Sequence, residues 1–384
     1  MLKSVKHQLD QSIPDDITLT EGHKQKIMNK AHERLNRKNS LRFRLVKPLL
    51  STIAIIGLFG ILTGPSVQKW MEERQVQQFS SKQLEKVTIT DVEYSSLIRS
   101  IYVKDTNEFV YIDKGGIFAY SVQSDEKKVL VKPKENMSIF DIAVNKNWLV
   151  WLEDNSNTVY ALNRQNDEMK KLTIKAISDF QLDEDTFLYR SYGENGESVG
   201  YKSMNLTTMI ESEILEATGI GSNSIAAVQD GLMVIPEQYR IDNKIKTTYF
   251  LYDLHKKKQI AAYDVPYDSV VNVTLTDHKI YAELSNEGEI PILAYIDLAD
   301  GKLHQVKTPK FDAYAVFKDF VALSIPSKGS NTVKLYRMKK DKIVALPTFN
   351  QVKERLVKPR FTNDGALVVN GEGKDYAMYV QDVK

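Results

Sequence analysis

Gly196-Glu197-Ser198-Val199-Gly200 matches G-x-S-x-G, the pattern in which a serine on a sharp strand-to-helix turn is activated by a downstream histidine and acid. The pentapeptide stands between RSYGEN and YKSMNL, in a polar, glycine-rich stretch with strand-like runs on either side. That context predicts a hairpin turn, because the elbow needs a helix directly after its serine. His255, His278 and His304 are the histidines of the long C-terminal part, each beside a turn and none in H-x-H or H-x-x-x-H spacing. Asp183-Glu184-Asp185 and Asp154-Asn155-Ser156-Asn157 lack the glycine and spaced acids of a calcium loop and suit turns instead. Cysteine is absent, which excludes thiolate zinc, a cysteine nucleophile and disulfides. These residues predict no catalytic group, no metal and no cofactor, and a chain that is not an enzyme.

The elements that would carry such residues repeat. An apolar or aromatic residue, a spacer, a second apolar residue and a polar turn recur at Tyr120-Ser121-Val122, Tyr160-Ala161-Leu162, Met204-Asn205-Leu206, Tyr252-Asp253-Leu254, Ile296-Asp297-Leu298 and Tyr336-Arg337-Met338, and less cleanly at Tyr379-Val380. In step with them run Asp or Asn turns at Asp105, Asn145, Asp183, Asp230, Asp277, Asp319 and Asp364, each followed by an apolar strand: FVYI, WLVWL, TFLY, LMVI, KIYAEL, FVALSI and ALVV. A period of about 40 to 50 residues with four strands per unit is the signature of a β-propeller blade. The expected fold is therefore all-β, a seven-bladed propeller over 83–384. Six blades is the main competitor, because the unit at 222–266 is irregular. A pair of β-sandwiches or two small α+β domains is the alternative architecture. Trp148, Trp151, Tyr111, Tyr189 and Tyr281 fall on second strands, where blade packing buries them. The last unit lacks a fourth strand, and LEKVTITDV at 84–92 resembles fourth strands elsewhere, so the ring is expected to close with its own N-terminal strand.

The N-terminal part reads differently. Pro48 to Val67 is a run of twenty without charge, long enough for one bilayer crossing. Arg34, Arg37, Lys38, Arg42, Arg44 and Lys47 precede it, so the positive-inside rule places 1–47 in the cytosol and the stalk at 68–82 and the propeller outside. The tail carries eleven Lys and Arg against five acids, while the part beyond the span is mildly acidic. A basic tail beside a membrane points to the lipid bilayer and not to nucleic acid. Thr20 can cap a helix over roughly 21–37 whose Ile27, Met28, Ala31 and Leu35 form one apolar stripe. A tail of 47 residues has no core to bury that stripe, which predicts docking on headgroups or on a cytosolic partner. Absent cysteine with abundant Lys, Asn and Ile suggests an extracytoplasmic protein of a Gram-positive bacterium.

The repeated units, with aromatic second strands and the Tyr252-Asp253-Leu254 and Ile296-Asp297-Leu298 third strands, resemble TolB-type and related bacterial propellers over about 300 residues. The tail SIPDDITLTEGHKQKIMNKAHERL, followed by a basic stretch and one span, resembles the layout of membrane-bound anti-sigma factors of Firmicutes. Without cysteine the chain departs from their zinc-binding subtype. The resemblance implies a sigma factor or another cytosolic regulator as the tail's partner, and an extracytoplasmic ligand or protein for the propeller. The alternative is an envelope scaffold whose tail only anchors it.

Overall fold

Side chains alternate between the two faces of a strand, so a sheet covered on both faces needs apolar residues at successive positions. The second-strand runs have that character, and the computed structural model shows what covers them. It describes residues 84–383 apart from 136–137, 155–157, 175–176, 193–197, 217, 221–223, 243, 328–329 and 376. The tail with Ile27, Met28, Ala31 and Leu35, the run 48–67 and the stalk 68–82 lie outside the described residues. Among the described residues no helix is long and apolar enough to cross a membrane.

The strands form seven four-stranded antiparallel sheets. First strands of successive sheets touch one another around an axis. Between each pair of neighbouring sheets lies one apolar cluster, and the last of these joins the seventh sheet to the first. The chain is thus a seven-bladed β-propeller. Trp148, Trp151, Tyr111, Tyr189 and Tyr281 all lie in the buried core on second strands. The irregular unit that left room for a six-bladed count is a complete blade of Ala227–Gln229, Leu232–Ile241, Lys244–Asp253 and Lys258–Val265. Its first strand pairs only with Leu232 to Val234. Further along the second strand the Gln238 carbonyl points to that vacated side, where it accepts from the Ile220 amide at 2.8 Å. Pro236, two residues away and of the same parity, therefore turns its missing N–H to the side that the first strand no longer pairs, where no ladder bond is lost.

The ring closes with its N-terminal strand. Glu85–Val87 pairs with Met378–Asp382, setting Lys86 opposite Tyr379 and Val87 opposite Met378. The strand is shorter than the 84–92 expected from sequence, because Ile89 and Leu97 turn into the apolar cluster between the seventh and first blades. Leu97 sits on a short helix, Tyr94–Ile98. A side-chain clasp reinforces the seam: Glu354 accepts from Lys86 Nζ at 3.2 Å and from the Tyr379 hydroxyl. Gly371 and Gly373 leave the space its carboxylate fills, since a Cβ at either would lie 2.7 or 2.3 Å from Glu354 Oε2.

Candidate functional site along the propeller axis

The sequence motifs that suggested chemistry do not converge. Ser198 opens the third strand of blade 3, Ser198–Asn205, so a strand and not a helix follows it. His255 lies against Gly231, whose Cβ, if present, would be 2.2 Å from Nε2; that contact, with a φ of +72°, is what the Asp230-Gly231 turn requires. His278 sits at φ +56° in a tight turn, and His304 stacks on Tyr295 with ring centroids 5.0 Å apart. Among the described residues no three His, Asp or Glu side chains gather as a metal site would need.

What does converge is the axis. Four of the first strands carry a β-bulge near their start: Ile139–Val144, Ile177–Asp183, Ser269–Thr276 and Leu356–Phe361. A bulge unpairs one residue and re-aims its side chain. All first strands run the same way around the ring, so the bulges share one mouth of the channel. They present Phe140, 52% exposed, beside Asp141, with Asn272 and Lys358 in the left-handed region at φ +56° and +51°.

Charge at this mouth is mixed. Burial pushes the Asp141 carboxyl up; its hydrogen bond from the Ile142 amide and the Arg99 guanidinium pull it down, and Asp179 pushes it up again. Glu283 is raised by burial and by Asp312, against a hydrogen bond with the Asn272 amide. Arg360 donates to Ser100 Oγ at 3.2 Å and to Asn370 Oδ1, joining blade 7 to the segment before blade 1, and burial brings it down to about 10. Between blades 3 and 4, buried Glu237 accepts from the Tyr239 hydroxyl at 2.8 Å and from Thr218, while the buried Tyr201 hydroxyl has no partner among the described residues.

At the other end, where first strands finish, the axis carries an open-sided cavity of about 190 Å³. Gln181, Gln229, Thr274, Thr362 and Asn363 give it polar atoms, and Phe317 and Phe361 give it aromatic surface. A second, open hollow of about 480 Å³ lies at the seam, lined by Lys86, Glu354, Lys374 and Tyr379, where the clasp already engages the half-buried Glu354 carboxylate.

With the geometry in place, comparison with known proteins identifies the fold. No family model matches the chain, and no curated protein matches it. Solved structures do. The RRP9 WD40 repeats are 14% identical with a TM-score of 0.52, covering 79% of this chain and 98% of that one. A chain of the mitotic checkpoint complex is 8% identical at TM-score 0.51, covering 79% and 95%. Acylaminoacyl peptidase is 14% identical at TM-score 0.50 over 65% of this chain, which spans 45% of the peptidase. The shared feature is the propeller fold.

The peptidase corrects one expectation. The reading of the chain as a non-enzyme is withdrawn, because a propeller of this kind forms part of an enzyme. Missing the catalytic motifs was not sufficient ground for that reading, since fold and chemistry are separable. Sequence reasoning also missed Asp141, Glu237, Gln229 and Asn363. The usable signal was polarity out of place, as in the Glu237-Gln238 pair that interrupts the apolar run LMVIP.

Proposed function

We propose that the propeller is a binding scaffold carried outside a membrane by the span at 48–67, and that its tail engages a cytosolic regulator in the manner of an anti-sigma factor. The observation that carries the reading is the pairing of a charge-free run of twenty, preceded by a basic segment, with a propeller whose axial mouth presents re-aimed polar and apolar side chains. Fold neighbours that are WD40 repeats or belong to a named multi-protein complex support protein interaction as the propeller's use. TolB-like ancestry and a Firmicutes source fit the same picture.

Strand polarity adds a direction. Glu85–Val87 runs antiparallel to the third strand of blade 7, so the chain enters at the face where first strands finish.

The test is partner capture by the full-length protein. Ile27→Asp with Leu35→Asp should abolish binding to a cytosolic regulator, or derepress a regulon, with the membrane-bound amount unchanged. If the double variant matches the wild type in partner capture and transcript profile, the tail is only an anchor and the envelope-scaffold reading replaces the regulatory one.

A further inference from the structure

The axial cavity differs from the rest of the molecule in charge. Of all residues in the chain 27% are charged, yet none of the fourteen that line this cavity is. A site for an ionic ligand needs at least one opposite charge, because burying an unpaired ion is costly. The lining is not merely apolar either. Gln181 already donates to the Ala226 carbonyl, and Thr362 Oγ1 is occupied by Asp364 and Ala366. The side-chain amides of Gln229, on blade 4, and Asn363, on blade 7, make no hydrogen bond among the described residues. They come from opposite sides of a seven-membered ring and each offers both a donor and an acceptor. Phe361, half-buried and tilted against Phe317 with ring centroids 5.9 Å apart, forms part of one wall.

We propose that this cavity binds a single uncharged pyranose, held between the Gln229 and Asn363 amides with its C–H face on Phe361. Amides serve hydroxyls as both donors and acceptors, and the negative face of an aromatic ring suits polarised C–H bonds. The volume of about 190 Å³ lies below the roughly 300–1,000 Å³ usual for small-molecule pockets, which limits the ligand to one ring. The proposal names a ligand class for the extracytoplasmic side and so rests on the binding-scaffold reading, but not on the tail's role.

The experiment is saturation-transfer NMR on the full-length protein in lipid nanodiscs. The probes are glucose, galactose, mannose and N-acetylglucosamine, with glucuronate and glucosamine as charged counterparts. At least one neutral sugar should receive saturation and the charged ones should not. Gln229→Leu and Asn363→Leu should each weaken the neutral sugar about tenfold, the effect of one hydrogen bond left unmade. Gln229→Glu with Asn363→Asp keeps shape while adding charge and should abolish binding, with an unchanged melting midpoint showing that the ring is intact. Silence from every neutral sugar, equal signals from charged and neutral sugars, or binding that survives the amide variants overturns the proposal. None of these outcomes touches the partner-capture assay, so the two readings fail separately.

Discussion

Glu354 does more at the seam than a surface acid usually does. It takes hydrogen bonds from both the N-terminal strand and the third strand of blade 7, over two glycines that make room for it. Glu354→Ala should leave the Tyr379 hydroxyl unpaired and cost about 1–3 kcal/mol in urea unfolding. Gly373→Ala should cost as much by displacing the same carboxylate. Asp141 is the opposite case. Its carboxyl is held above the ordinary value, first by burial, so the ionised form is less at home in the fold than in the unfolded chain. Wild-type stability from this group is present at low pH and is lost as pH rises through the raised value. Asp141→Asn should therefore stabilise the protein at pH 7, and the gain should vanish as pH falls below the ordinary carboxylate range. Melting midpoints of both proteins across pH 3 to 8 decide it.

Single strands divide into those whose sequence announces them and those whose position depends on a neighbour. Second strands such as Trp148–Glu153 and Lys279–Ser285 were legible because burial on both faces demands an unbroken apolar run. The polar turns before them were legible for the same local reason, as side-chain bonding by Asp and Asn is a short-range property. The bulges were not. A bulge is a register relation between two strands, so nothing at Phe140 or Asn272 alone marks it, although Pro359 beside the bulge at Lys358 was a usable hint. The axial cavity was illegible for a related reason, since Gln229 and Asn363 are brought together by the ring and by no sequence pattern. Deleting 68–92 removes the strand Glu85–Val87 and should expose the edge of Met378–Asp382. Light scattering should then show an aggregating protein; a protein starting at residue 93 that is monomeric and equally heat-stable would contradict the closure.

At the scale of the whole molecule, the proposed membrane topology can be tested directly. If 48–67 crosses the bilayer with the basic tail inside, protease added to intact protoplasts should remove the propeller and spare the tail. Survival of the full-length chain would reverse the topology. The ring itself has a further consequence, which concerns time. Lys86 and Glu354 are 268 positions apart, so the first strand synthesised must wait for nearly all the others before it has a partner. Such distant pairing forms late, because the entropy of closing the loop precedes any gain from contact. During synthesis the N-terminal strand is free while blades accumulate behind it, and the propeller gains its last blade and its closed ring in one step. A chain cut short anywhere before Met378 would thus be left as an open array, visible to quality control however well its earlier blades had packed.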